Sequence, residues 1–485
     1  MSEISQLEPQ GLWKNFASLN AVPRASKKEQ QVIQFAKEFG ESLGLETLVD
    51  EIGNVIIRKP ATTGMEDRIP VVLQSHLDMV HQKNNDTDFD FATQGIRMQV
   101  EGDWVSAEGT TLGADNGIGV AAIMAILQSS DIPHPPLEAL FTIDEETGMT
   151  GAKGLKGGLL HGGILLNLDT EDDDELTIGC AGGVDVTAKG NYEGEETPHG
   201  YHGFRLTVKG LKGGHSGMDI HRGRANANKL MNRLLWRSSH HFGLRVSTID
   251  GGGLRNAIPR ESVAQVAVPE NQVDAWNQWL EKESQSLVTE YQSTDPDLTV
   301  IVDSETVESL LPESLQFPLL GAIYGCVSGV YRLSPDIPDL VETSNNLARV
   351  LVKDGDFTIA CLTRSSVDAQ RDDLASSLSA VFQLTGASIE TSGDYPGWPP
   401  APSSSIVTLM SKLYQELFSA EAHVAACHAG LECGILGTNY PDMEMISFGP
   451  NIRGAHSPEE CVQISSVQKF WGYLLETLKR IPVAN

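Results

Sequence analysis

Short apolar runs alternate with amphipathic stretches along the first part of the chain. Ile69-Pro70-Val71-Val72-Leu73 is too short for a helix and reads as a buried strand, followed closely by His76 and Asp78. Leu137 to Ile143 is a second such run and ends in Asp144-Glu145-Glu146-Thr147-Gly148; Ile164 to Leu168 is a third and ends in Asp169. Between them the apolar period becomes helical. Leu12, Trp13, Phe16 and Leu19 form one stripe within 9–24. Val32, Ile33, Phe35, Ala36, Phe39 and Leu43 form another, behind a predicted capping box at Ser26-Lys27-Lys28-Glu29. Leu45 to Arg58 reads as two strands around Gly53-Asn54, and a helix is expected from Val120 to Leu127. Strands alternating with helices predict an α/β fold with a mixed, largely parallel sheet covered by helices on both faces. In such sheets sites form at the carboxyl ends of strands, where His76, Glu145, Glu146 and Asp169 all fall.

The texture changes after about residue 190. Phe204 to Lys209, Leu244 to Ile249, Ala348 to Val352 and Phe357 to Leu362 read as strands. Ala225 to Ser238, Gln272 to Tyr291 and 369–384 read as helices, and Leu315 to Gly325 as a further element. This predicts an inserted α+β domain over 191–390. Its composition hints at two similar halves, without enough sequence similarity to establish a repeat. The Pro-, Gly- and Ser-rich stretch 393–405 reads as the connection back. The first texture then resumes, with a helix at Ser404 to Phe418, strands near His423 to Ala426 and Met443 to Phe448, and a final helix at Val467 to Leu478. The expected organisation is a discontinuous domain, 1–190 with 391–485, interrupted by a lid. Residues 81–110 read as irregular, and Glu171-Asp172-Asp173-Asp174-Glu175 as a solvated loop.

Composition narrows the partners. The 485 residues carry a net charge of −30, with 40% hydrophobic and 21% charged positions. That charge disfavours nucleic acid and anionic membranes, both of which call for a basic surface. No apolar run reaches membrane-span length, and the N-terminus shows no secretory leader. The six cysteines are scattered without a Cys-x-x-Cys pair, which fits reduced thiols in a cytoplasmic protein.

The candidate chemistry lies in His76, Asp115, Glu146, Asp169 and His456. Two imidazoles and three carboxylates suit zinc, manganese or cobalt. One carboxylate shared between two divalent ions, with one histidine and one carboxylate completing each, would account for all five. Asp78 is placed to orient His76, and Glu145, beside a ligand, to act as general base. Asp115 itself lies in the tight turn Gly113-Ala114-Asp115-Asn116-Gly117.

These motifs resemble those of the dinuclear zinc peptidase family M20. So do Gly210-Leu211-Lys212-Gly213-Gly214-His215-Ser216-Gly217, Arg255-Asn256-Ala257-Ile258-Pro259, the stretch 428–434 and Gly454-Ala455-His456-Ser457-Pro458-Glu459. The wording of these stretches is similar to bacterial members that cleave Xaa-His dipeptides, β-alanyl-histidine included; N-acyl amino acid hydrolysis or broad dipeptide cleavage are the alternatives. The resemblance implies two divalent ions per chain, most simply Zn2+. Asp115 would bridge them, with His76 and Asp169 on one, and Glu146 and His456 on the other. It implies a cis peptide between Asp115 and Asn116. It further implies that His215, assisted by Asn256, stabilises an oxyanion and that Arg364 grips the substrate carboxylate. Gly430 is expected near the substrate backbone, with His428 and Glu432 either touching substrate or supporting the core. Whether His215 serves its own chain, and whether the lid forms a homodimer, the resemblance leaves open.

Overall fold

The computed structural model describes residues 3–335 and 337–484. The chain divides into two compact units. One comprises Met1–Gly179, Trp398–Ala426 and Leu431–Asn485; the other comprises Cys180–Gly397 and Cys427–Gly430.

The first unit is built on an eight-stranded sheet in the order Glu46–Val49, Val55–Lys59, Leu137–Thr142, Val71–His76, Ile164–Asn167, Glu444–Ser447, Glu175–Cys180, His423–Cys427. The central four strands are parallel, and the pairings flanking them are antiparallel. Val71–His76 and Leu137–Thr142 are buried at every position, as strands covered on both faces must be. The helix Ala114–Gln128 is buried throughout Ile118–Leu127 and packs on Val71–His76 and on the helix Gln10–Asn20. An apolar surface on every side leaves it no solvent face. Two strands of a second, four-stranded sheet lie within 81–110, where the polar texture reads as irregular. Met98–Glu101 and Trp104–Ala107 form a hairpin, and Cys461–Gln463 and Ile452–Arg453 extend it. Each strand is so short that alternation leaves little trace, and half of the sheet comes from the other end of the chain.

The expected capping box does not form. The helix Gln30–Ser42 has no side-chain cap. The Ser26 hydroxyl donates instead to Asp78 Oδ2 at 2.8 Å, and Glu29 accepts from the Lys27 N–H at 2.8 Å.

The second unit carries an antiparallel sheet in the order Thr299–Ser304, Tyr201–Lys209, Ser262–Pro269, Arg245–Gly252, Val341–Lys353, Asp356–Ser365, Gly182–Asn191, Ser388–Tyr395, with Gly329–Leu333 beside Val341–Lys353. Tyr201–Lys209, Ala227–Phe242, Arg245–Gly252, Ser262–Pro269, Val273–Tyr291 and Thr299–Ser304 follow a β-α-β-β-α-β path. Gly182–Asn191, Glu313–Gly325, Val341–Lys353, Asp356–Ser365, Asp368–Gln383 and Ser388–Tyr395 follow the same path with the first half inserted after the first strand. The two halves join where Ile249–Gly252 pairs with Arg349–Val352, and their strand orders mirror one another about that seam. Because Gly182–Asn191 pairs with Asp356–Ser365 and Ser388–Tyr395, the unit starts at Cys180 rather than at 191. No helix among the described residues is long and apolar enough to cross a membrane.

Candidate metal centre and active site

The three central strands of the first unit run parallel, with His76 opposite Thr142 and Gln74 opposite Asn167. Their carboxyl ends therefore bring His76, the Glu145–Gly148 turn and Asp169 to one edge. His76 Nδ1 faces Asp78, 3.1 Å from its carbonyl and 3.5 Å from Oδ1. His76 Nε2 faces Asp115 Oδ1 at 3.1 Å and Asp169 Oδ1 at 3.4 Å. Asp78 also accepts the backbone N–H of Glu145 at 3.0 Å and of Glu146 at 3.3 Å. One buried carboxylate thus orients both the imidazole and the turn that presents the two glutamates.

Asp115 reaches the cluster from the start of the long buried helix. The Asp115–Asn116 peptide is cis, and both residues depart from helical geometry. Gly113 before them has φ 70°, and a Cβ there would collide with the Arg24 guanidinium, so only glycine fits. Asp115 Oδ2 lies 3.3 Å from His456 Nε2, which is 3.0 Å from Glu146 Oε2. The two oxygens of one carboxylate thus face two different histidines. Two sets of ligand atoms result, His76 with Asp115 and Asp169, and Asp115 with Glu146 and His456, each within 4.8 Å. His76, Glu145 and Glu146 form a third such set.

The electrostatics follow from crowding acids around two imidazoles. Hydrogen bonds to Asp115 and Glu146 push His456 up to about 11 against the effect of burial. Burial would lower His76, but Asp169, Asp115 and Asp78 raise it well above its ordinary value. Burial would raise Asp115; the hydrogen bonds from His456 and His76 hold it far below the usual carboxylate range. Burial raises Glu145 well above that range, helped by Asp169, Glu146 and Glu432. The cluster is an acidic pocket that stabilises positive charge.

Several side chains that hold this arrangement were not legible beforehand. Asn116 donates to Leu168 O at 2.6 Å and to Asp169 Oδ1, so it aims Asp169. Asp144 accepts from Lys27 at 2.5 Å and from Thr147 and Thr150, bracing the glutamate turn. Glu171 is not the solvated residue expected of a charge run. It is half-buried, and burial, Asp115 and Asp169 push its carboxyl up to about 8. Its neighbours Asp172 and Asp173 pair with Arg453 and Lys469. Glu432 is fully buried and accepts from Gln74 Nε2 and Thr142 Oγ1, both at 2.6 Å. Both hydrogen bonds fall on Oε2 and tie Glu432 to strand residues behind the cluster, while Oε1 is buried with no hydrogen-bond partner.

In the second unit His215, Asn256, Arg364 and His428 gather at the turn Gly213–Gly217. The backbone N–H groups of Gly217 and Met218 donate to His215 Nδ1 at 3.2 and 3.0 Å. Nδ1 is therefore the acceptor, which puts the ring proton of the neutral form on Nε2. Asn256 is exposed, and its carbonyl accepts from Ser216 N at 2.8 Å. Arg364 is 5% exposed and donates to Tyr395 Oη at 2.8 Å and Ser216 Oγ at 3.4 Å, both neutral oxygens. His428 is buried, its Nε2 2.8 Å from Ser344 Oγ; burial and the charge of Arg364 push it down to about 3. That places a neutral ring beside the guanidinium rather than a polar group presented to solvent. Gly430 follows it, half-buried.

Comparison with known proteins agrees with this architecture. The chain is 44% identical over 484 residues to the cytosol non-specific dipeptidase of Escherichia coli K12, covering 99% of this chain and 100% of that relative. The solved structure of an aminoacylhistidine dipeptidase from Vibrio alginolyticus superposes with a TM-score of 0.93 at 42% identity, covering 100% of this chain and 99% of that one. A tripeptidase from Staphylococcus aureus shares the fold, with a TM-score of 0.57 at 16% identity over 98% of this chain and 99% of that one. Residues 72–480 match the profile of peptidase family M20/M25/M40, and the chain belongs to that family.

Proposed function

We propose that the protein hydrolyses dipeptides at a centre of two divalent metal ions. The observation that carries this is Asp115, whose two oxygens face His76 and His456 separately. The residues fit such ions. Each ligand set mixes imidazole and carboxylate donors, and Glu146 Oε1 is buried with no hydrogen-bond partner. The acidic surroundings that raise both imidazoles above their ordinary range would equally favour cations in place of protons. His76, Asp115 and Asp169 would hold one ion, and Asp115, Glu146 and His456 the other, with zinc, manganese or cobalt all suited to the donors. When bound, the ions supply Lewis-acid polarisation of the scissile carbonyl and acidify water.

The chain supplies the rest. Asp78 fixes the backbone of Glu145, and Glu145 accepts the proton of the attacking water and delivers it to the departing amine. His215, with its proton on Nε2, donates to the developing oxyanion beside Asn256. Arg364, buried against neutral hydroxyls, provides the fork that a substrate carboxylate matches. The two relatives are named for broad and for histidine-directed dipeptide cleavage, and we extend to this chain a dipeptidase activity that includes Xaa-His and β-alanyl-histidine. A reducing, cytoplasmic setting fits the cytosolic relative and six cysteines that form no disulfide.

The test is a panel of dipeptides and N-acetyl amino acids assayed before chelation, after chelation and after reconstitution with Zn2+, Mn2+ or Co2+. Dipeptide cleavage lost on chelation and regained with metal is expected. Full activity of the metal-free protein, or preference for the N-acetyl compounds, would overturn the reading.

A further inference from the structure

The turn that carries Asp115 is gripped from two sides by fully buried charged groups that the reaction itself does not use. Arg24, just past the first long helix, is 2% exposed. Its Nη1 donates to Leu77 O and Asp78 O, both at 3.1 Å, and its Nη2 to Asn20 Oδ1 at 2.9 Å and Gly113 O at 2.5 Å. One guanidinium thereby spans the loop after His76 and the turn before Asp115. Glu460 is also 2% exposed. Its Oε2 accepts from the N–H groups of Leu112 and Gly113 at 2.8 and 2.9 Å, and its Oε1 from Ala114 and Asp115 at 2.7 and 3.2 Å. Glu460 closes the loop that bears His456, between the paired strands Ile452–Arg453 and Cys461–Gln463.

We infer that Arg24 and Glu460 are positioning residues that set the spacing of the shared carboxylate: Arg24 ties the Asp115 turn to the His76 loop, and Glu460 ties it to the His456 loop. The inference rests on the reading of Asp115 as the ligand common to two ions. Its physical basis is geometric. Ligands from segments remote in sequence form a tight site only if something fixes their separation, and partners of ligands are worth roughly 10–100-fold in metal affinity. A carboxylate that accepts four consecutive backbone N–H groups holds a turn as no neutral side chain can, because every lone-pair direction is in use.

Glu460→Gln preserves shape but turns a donor amide against two of those N–H groups. Stepwise zinc affinities, metal content and the thermal midpoint of chelated protein are measured for wild type, Glu460→Gln, Glu460→Asp and the exposed-neighbour control Glu459→Gln. The expected result is two ions in wild type and control. In Glu460→Gln at least one zinc affinity should fall roughly 10–100-fold, with lost activity restored at high zinc. Glu460→Asp, which keeps the charge with a shorter reach, should fall between. Rescue by excess metal distinguishes positioning from mere structural damage. Two ions in wild type with unchanged affinities in both Glu460 variants would overturn the inference, as would activity lost without any metal deficit. Fewer than two ions in wild type would overturn the two-ion reading itself, and the inference with it. If Glu460→Gln does not fold, Glu460→Asp decides by the same criterion.

Discussion

Replacing either Glu145 or Glu146 by glutamine removes one negative charge at adjacent positions with almost no change of shape, yet the two variants should fail differently. Glu145 is held through its backbone N–H by Asp78 at 3.0 Å, a contact that glutamine keeps. Both ligand sets proposed for the ions omit its side chain. Glu145→Gln should therefore retain two ions and lose the proton acceptor alone. General-base catalysis contributes about 10²–10⁴ in rate, or roughly 3–5 kcal/mol at 1.36 kcal/mol per decade, so kcat should fall by that much with KM little changed. Glu146 Oε2 lies 3.0 Å from His456 Nε2 in the ligand set with Asp115. A neutral carboxamide there leaves that ion with one anionic ligand fewer, and Glu146→Gln should emerge from gel filtration with about one ion per chain. The assay pairs metal content by atomic emission with steady-state kinetics on one dipeptide. Equal metal loss in the two variants, or Glu145→Gln retaining kcat within about tenfold, would refute the division of roles.

Arg364→Ala should mainly raise KM and erase discrimination between a dipeptide and its C-terminal amide. A charge-assisted contact of about 1.5–3 kcal/mol corresponds to roughly 10–150-fold selectivity in kcat/KM, and unchanged selectivity would show that Arg364 does not read the carboxylate. His215→Ala should lower kcat by about 10²–10³ at full metal content; a change confined to KM would remove it from oxyanion stabilisation. His428 is neutral in the fold, with its pKa pushed down to about 3 from an ordinary 6.5. The unfolded chain therefore binds the extra proton, and stability contributed at this site is complete above about pH 6.5 and lost progressively as pH falls toward 3. Denaturant midpoints of chelated protein between pH 7 and 4 should fall less steeply in His428→Gln than in wild type, and parallel curves would refute that assignment.

Much of the cluster is local in origin. His76, Glu145, Glu146 and Asp169 each end or follow a short apolar run, and parallel pairing of those runs must align their carboxyl ends. The glycine-flanked turn at Asp115 announces itself by composition alone, as do the main strands and helices of both units, because burial of one face imposes a period on the chain. What tertiary structure alone decides is where charged groups find their partners. Ser26 and Glu29 have the spacing of a capping box, but Ser26 donates to Asp78, a nearby buried carboxylate with oxygens to satisfy. Glu171 reads as part of a solvated charge run and Glu432 as either substrate contact or core support; the fold half-buries the first and buries the second against Gln74 and Thr142, far away in sequence. The hairpin Met98–Ala107 is too short to register until Cys461–Gln463 pairs with it. The mirrored halves of the second unit share strand order, which backbone hydrogen bonding specifies, without sharing enough side chains to be recognised. Arg24 and Glu460 carry no signal at all in their own segments. Glu460 and the Asp115 N–H it accepts are 345 positions apart, and a buried charge is stable only once the fold has brought its hydrogen-bond partners around it.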